Sequence, residues 1–110
     1  MKGQHFELGI AENNFFLLLA SLGMSNSLFG TKLLPVGTIY DTFIGRGLDS
    51  LNYATYIGSK FIMVGTPSGV SLSHEGGAHQ SSITPNIGIS QPNLLYFEPS
   101  FGDELIFLFY

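Results

Sequence analysis

Glu12 is the residue of this sequence whose surroundings best suit acid–base chemistry. It lies in the stretch I-A-E-N-N (residues 10–14), and the apolar run F-F-L-L-L (15–19) follows shortly after it. A carboxylate beside so apolar a segment is costly unless a partner or a proton neutralises it, so we expect its pKa to be raised. Such a group can exchange protons near neutral pH. The alternative is that Glu12 only stabilises the first turn of a helix through the helix dipole.

A second group of reactive side chains lies in the stretch S-H-E-G-G-A-H-Q, residues 73–80. His74, Glu75 and His79 are residue types that zinc accepts as ligands. The spacing H-E-x-x-x-H is one residue longer than the helical H-E-x-x-H motif, and the two glycines oppose a helix. We therefore expect no metal site and favour a substrate-binding loop, in which the glycines permit close approach and a histidine exchanges a proton. A solvated loop without a role is the alternative.

The composition limits the classes of function. The sequence has 110 residues, which suffices for one small domain over residues 1–110. Lysine and arginine total four, so there is no basic footprint for nucleic acid. Cysteine is absent, which excludes disulfides and thiolate chemistry. Because only 11% of the residues are charged and 45% are hydrophobic, we expect an unusually apolar surface, partly covered by another chain or domain.

We predict no membrane span and no secretion signal. The apolar run at residues 15–20 is far shorter than a membrane span. Met1 and Lys2 are followed by glycine, glutamine and histidine instead of an apolar signal core. We therefore expect a cytoplasmic protein. Because the chain stops in the apolar run 105–110 without a helix stop signal, we interpret it as a segment of a longer protein.

The apolar pattern predicts helices that alternate with strands. Helices are predicted over residues 11–22, 41–56 (with Asp41 or Thr42 as the cap) and 101–110. Strands are predicted over residues 33–40, 60–65, 87–89 and 94–97, and loops over 24–32 and 66–82. This alternation indicates an α/β fold, with three layers in which helices flank a mainly parallel sheet. Ligands of such sheets bind beyond the carboxyl ends of the strands, where the loop 66–82 lies.

Four stretches of the sequence resemble a known enzyme family. In chain order they are G-I-A-E-N-N (9–14), P-V-G-T-I-Y-D-T-F-I-G-R-G-L-D (35–49), E-G-G-A-H-Q (75–80) and E-P-S-F-G-D-E-L (98–105). Together they resemble the pyrimidine-binding domain of the transketolase superfamily of thiamine-diphosphate enzymes, over nearly the whole chain. The second stretch is similar to a motif of deoxyxylulose-phosphate synthases. Taken as a whole, the sequence is most similar to the homodimeric decarboxylating component of bacterial pyruvate dehydrogenase.

The resemblance implies cofactor-binding roles for three side chains. Glu12 matches the glutamate that hydrogen-bonds a ring nitrogen of the cofactor's aminopyrimidine and so helps to activate the thiazolium carbon. Tyr40 and Phe43 match an aromatic pair that lies against the pyrimidine ring. For Phe43, ordinary packing in the core is the alternative.

The resemblance also implies substrate-binding roles for three further side chains. Arg46 matches a residue that binds the substrate anion, and a guanidinium suits a carboxylate or phosphate. An ion pair with Asp49, three residues further on, is the alternative for Arg46. His79 matches a loop histidine that contacts the substrate or an intermediate, which gives it a catalytic role. Glu75 occupies the position at which transketolase-like enzymes have aspartate, so its side chain is longer by one methylene group.

The cofactor implied by the resemblance is thiamine diphosphate with Mg²⁺. In the family the metal is held by a G-D-G motif in a separate domain, and F-G-D-E at residues 101–104 is not such a motif. We therefore expect a diphosphate-binding domain or second subunit as partner, a homodimer, and pyruvate or a related 2-keto acid or ketose as substrate. The isolated chain is expected to be inactive. The alternatives are ketol transfer, as in deoxyxylulose-phosphate synthases or transketolases, and a non-catalytic module that pairs through an apolar face.

Overall fold

The chain is an α/β protein in which helices flank a small parallel sheet. The computed structural model describes residues 3–110. The predictions of the domain and of the missing signal peptide also include Met1 and Lys2, which lie outside the described part. The α-helices are α1 (Glu12–Gly23), α2 (Ser25–Phe29), α3 (Leu48–Tyr56), α4 (Thr84–Ser90) and α5 (Gly102–Leu108). The strands are β1 (Val36–Tyr40) and β2 (Ile62–Thr66), and short 3₁₀ segments cover Asp41–Gly47, Ser73–Glu75 and Gly77–His79.

The two strands pair in parallel. Val36 lies opposite Ile62, and Tyr40 lies opposite Thr66. Parallel strands need a crossover connection, which the 3₁₀ segment at Asp41–Gly47 and helix α3 supply here. The carboxyl ends of both strands therefore meet at one edge of the sheet, and the predicted α/β class is confirmed at this level.

The core lies between α1, α3, the 3₁₀ segment at Asp41–Gly47 and strand β1. Its buried hydrophobic residues are Phe16, Leu19, Ile39, Ile44 and Leu51. Helix α1 lies directly on β1, because Gly37 has no side chain and the Phe15 ring and Leu19 methyl group fill that space. Burial of these side chains is the main source of stability for a domain of this size.

The predicted first helix is confirmed as α1, but the loop predicted over residues 24–32 contains helix α2. Two local features stabilise α2. The Ser25 hydroxyl is buried and accepts a hydrogen bond from the Leu33 N–H at 3.2 Å. Gly30 ends the helix with a φ of 68°, a left-handed conformation that glycine adopts without strain.

The continuous helix predicted over residues 41–56 is wrong in its first half. Asp41–Gly47 is a 3₁₀ helix, and the α-helix begins only at Leu48. Neither predicted cap is correct, since Tyr40 occupies the N-cap position without a side-chain cap bond. Two glycines in this segment weaken the α-helical preference. One of them, Gly47, is pressed against the Phe16 ring and the Glu12 carbonyl oxygen.

The strands predicted at 87–89 and 94–97 are also wrong. Residues 87–89 lie in α4, where Pro85 sits in the first turn and favours a helix start. Residues 94–97 have no regular structure. The Tyr96 ring packs against Gly88 of α4, so side-chain packing replaces strand pairing in this stretch. The predicted third helix is confirmed in α5, where the Glu104 carboxylate accepts hydrogen bonds from the N–H groups of Ser100 and Phe101.

The surface is as apolar as the composition predicts. Large side chains such as Phe29, Tyr56, Leu95, Phe101 and Phe107 are more than half exposed. Exposed apolar side chains on this scale are typical of surfaces that contact another molecule. Among residues 3–110, the helices are too short or too polar to cross a bilayer.

Candidate functional site

The site predicted from the sequence lies at the carboxyl edge of the sheet. Tyr40 is the last residue of β1, and the loop that follows β2 brings His79 beside it. The Tyr40 hydroxyl oxygen and His79 Nδ1 are 2.7 Å apart and share a hydrogen bond, with ring centroids 5.9 Å apart. Two residues separated by 39 positions in the chain are thereby joined at the position where parallel sheets bind ligands.

The 3₁₀ geometry of Asp41–Gly47 aligns the side chains of residues 40, 43 and 46. A 3₁₀ helix has three residues per turn, so side chains three positions apart lie above one another. The Tyr40 and Phe43 rings meet edge to face, with centroids 4.8 Å apart and planes at 87°. The Arg46 guanidinium carbon lies 3.5 Å from the Phe43 ring centroid. Three side chains spaced by three residues in the sequence therefore form one continuous stack.

Arg46 connects this stack to Glu12. Its Nη1 atom lies 3.4 Å from Oε1 of Glu12, which pairs it with helix α1 and not with Asp49. The Arg46 side chain is 54% exposed, whereas the Glu12 side chain is only 14% exposed. An ion pair of this exposure and a cation–π contact are each worth at most about 1 kcal/mol. Arg46 is therefore held weakly, although it touches two of the predicted ligand-binding groups.

Both interpretations of Glu12 describe part of its environment. It is the first residue of α1, where a carboxylate interacts favourably with the helix dipole. One turn further on, the Phe16 side chain is fully buried in the core. The Glu12 carboxylate thus lies at the edge of the core, is mostly removed from water, and has a guanidinium as its partner.

The loop carrying the two histidines has no helix of the H-E-x-x-H type. It forms two short 3₁₀ turns separated by Gly76, whose φ is 97°. The Glu75 carboxylate lies 4.0 Å from His79 Nδ1 and 3.8 Å from His74 Nε2, and all three side chains are at least one-third exposed. Within the described part of the chain, no group of three or more His, Cys, Asp or Glu side chains has the arrangement of a metal site.

Two features of the site region were not predicted. Asp41 is buried, at 4% exposure, and its Oδ2 atom has no hydrogen-bond partner within residues 3–110. Its backbone oxygen accepts a hydrogen bond from the Thr84 hydroxyl, which attaches α4 to this edge of the sheet. In addition, the Ser50 hydroxyl donates to the Asn13 side-chain oxygen and joins α3 to the helix that carries Glu12. The only sequence signal at Asp41 is its position directly after a predicted strand, and that position predicts a helix cap and not a buried carboxylate.

Removing the Tyr40 hydroxyl tests the junction between β1 and the loop. We expect Tyr40→Phe to lower the free energy of unfolding by about 0.5–1.5 kcal/mol, because His79 loses a partly buried hydrogen bond. The His79 ring signals in a ¹H–¹³C NMR spectrum should shift at the same time. Tyr56→Phe is the control, since that side chain is 81% exposed and should leave both quantities unchanged. Unchanged His79 signals in Tyr40→Phe would contradict the contact.

A scan against protein-family models, a search of curated proteins and a search of solved structures each found no match.

Proposed function

We propose that this chain is the aminopyrimidine-binding part of a thiamine-diphosphate-dependent enzyme that acts on pyruvate or a related 2-keto acid. The observation that carries the proposal is the continuous contact series from Glu12 through Arg46, Phe43 and Tyr40 to His79. Five of the six residues singled out by the family resemblance belong to this series. They come from three separate parts of the chain, so their convergence does not follow from sequence proximity.

The chemistry of these side chains fits an aminopyrimidine. Such a ring needs a carboxyl group for a ring nitrogen and an apolar surface for its face. Glu12 offers a carboxylate that is mostly removed from water, and Phe43 offers a ring face that contacts the same Arg46 guanidinium. The diphosphate and Mg²⁺ are assigned by the resemblance to a partner domain or second subunit, which is part of the proposal.

Each side chain has a defined task in this proposal. When bound, the cofactor supplies the nucleophilic carbon and the electron sink for decarboxylation. Glu12 holds a proton at the ring nitrogen of the pyrimidine. His79, oriented by its hydrogen bond to Tyr40, exchanges a proton with the substrate. The Glu75 carboxylate lies 4.0 Å from Nδ1 of His79, on the same side of the proposed substrate site.

A titration of this chain with 4-amino-2-methylpyrimidine, followed by ¹H–¹⁵N NMR, tests the proposal. We expect saturable shifts at Glu12, Phe43 and their neighbours at millimolar ligand. Glu12→Gln should weaken binding by at least about tenfold, because a hydrogen bond to a charged group is lost. Glu7→Gln is the matched control, since Glu7 is an exposed carboxylate next to His5 and should leave affinity unchanged.

Two results would contradict the proposal. One is equal affinity of the wild type and Glu12→Gln, and the other is no binding in either protein.

Calorimetry with thiamine diphosphate and Mg²⁺ should show no micromolar binding to this chain, because the proposal places the diphosphate site on the partner. Turnover of the assembled enzyme with pyruvate, with and without glyceraldehyde phosphate, separates decarboxylation from ketol transfer.

A non-catalytic pairing module is the second candidate, and the exposed apolar surface favours it. The apolar side chains of α5, including Leu105, Ile106 and Phe107, are substantially exposed. A stable interface would cover about 800 Å² of surface on each partner, with an apolar centre. A stable oligomer in analytical ultracentrifugation, together with no aminopyrimidine binding, would support this candidate over the enzyme.

A further inference from the structure

Arg46 covers both groups that the proposed ligand would use. Its guanidinium pairs with the Glu12 carboxylate at 3.4 Å and lies over the Phe43 ring at 3.5 Å. A ligand that hydrogen-bonds the carboxylate and packs on the same ring face needs the space that this guanidinium fills. Both cannot be there at once, because aromatic packing requires direct contact with the ring face.

A guanidinium and an aminopyrimidine present similar chemistry to these two groups. Each is flat, and each has nitrogen atoms bonded to a shared carbon. Each can donate an N–H to a carboxylate while its face packs on an aromatic ring: the guanidinium from its own N–H groups, the aminopyrimidine from its amino group or a protonated ring nitrogen. The Glu12 carboxylate and the Phe43 ring therefore suit a planar amidine-type base. In the structure, the Arg46 guanidinium of the same chain makes both of these contacts.

We propose that Arg46 is an internal competitor, which occupies the Glu12 carboxylate and the Phe43 ring face until a planar amidine-type base displaces it. The inference rests on the proposed function for the identity of the ligand. Displacement is feasible because Arg46 is more than half exposed and lies between Gly45 and Gly47. The contacts that hold it are those of a partly exposed ion pair, which a ligand of equal geometry can replace.

The test compares the affinity of 4-amino-2-methylpyrimidine for the wild type and for Arg46→Ala by NMR titration. This probe carries no anionic group, so any role of Arg46 in binding an anion does not enter the measurement. Removing the competitor should tighten binding by about tenfold. Arg46→Lys should give an intermediate affinity, because an ammonium still pairs with Glu12 but lacks the flat guanidinium face. Lys32→Ala is the control for the loss of one positive charge elsewhere on the surface.

A second measurement reports the displacement directly. Arg46 is the only arginine of the sequence, so its side-chain Nε–H group gives one assignable arginine signal. That signal should move towards the position of a free arginine as the probe saturates the wild type. Glu12→Gln should start closer to the free position, because its neutral side chain holds the guanidinium less strongly.

The outcomes separate this inference from the proposed function. Tighter binding to Arg46→Ala, with the Nε signal released by the probe, supports both. Equal or weaker binding to Arg46→Ala, while Glu12→Gln still loses affinity, overturns the competitor and leaves the proposed function standing. No binding to any of the proteins overturns the proposed function and the competitor together.

Discussion

Leu19→Ala is expected to lower the free energy of unfolding by about 2–5 kcal/mol. The side chain is only 4% exposed and packs between α1 and the sheet. Its Cδ1 atom lies 2.9 Å from the point where a side chain on Gly37 would begin, so Leu19 and the Phe15 ring together fill the space beside the strand. Gly37 has no side chain that could move into the resulting cavity. The loss is a large fraction of the 5–15 kcal/mol that holds a typical domain together.

Leu17→Ala is the matched control for this prediction. It removes the same atoms from the same helix, two residues away, but the Leu17 side chain is 45% exposed. We expect a cost of no more than about 1 kcal/mol there, because much of its surface already contacts water. Urea denaturation measures the free energy of unfolding of both variants, and we expect the two to depend on urea concentration with a similar slope. Similar losses for the two variants would mean that α1 does not present this face to the sheet.

Gly47→Ala is expected to cost about 1–3 kcal/mol and to disturb the candidate site. A Cβ atom at this position would collide with the Phe16 ring and would lie 2.8 Å from the Glu12 carbonyl oxygen. That oxygen belongs to the backbone of α1, so it can withdraw only if the start of the helix moves. Because the same movement displaces the Glu12 carboxylate relative to Arg46, affinity for 4-amino-2-methylpyrimidine should change together with stability.

Gly45→Ala provides the comparison within the same 3₁₀ segment. A Cβ atom there would lie 3.7 Å from the Ile83 Cδ1 atom, which is an ordinary contact. We expect Gly45→Ala to leave stability within about 0.5 kcal/mol and to preserve probe affinity, as for most surface substitutions. Thermal and urea unfolding, with the NMR titration, provide both quantities for each variant. A harmless Gly47→Ala would show that α1 does not approach the segment as closely as described.

Local pattern sufficed for several parts of the fold. The apolar run after Glu12 predicts α1, and the short apolar runs ending at Tyr40 and near Gly65 predict the two parallel strands. These elements follow from side-chain periodicity within a few residues, so no distant contact is needed to recognise them. Elements without such a pattern were predicted wrongly, as residues 87–89 illustrate: three residues are too few for periodicity to distinguish a strand from one turn of helix.

The site shows the same division between local and distant information. Residue types and the spacing of three identify Tyr40, Phe43 and Arg46 as a group, and the family resemblance selects His79 from the glycine-rich loop. Local spacing also offers Arg46 an acidic partner at Asp49, three residues further along the chain. The structure instead pairs Arg46 with Glu12, which is 34 positions away.

The sequence alone determines which side chains can do chemistry and which short segments carry them. Only the folded chain decided that Asp41–Gly47 is a 3₁₀ helix, that Asp41 is buried, and that Arg46 lies between Glu12 and Phe43. The physical reason is that these outcomes depend on close packing between distant segments, above all the approach of α1 to Gly47. Packing of this kind depends on shape in three dimensions, and a one-dimensional pattern does not contain it.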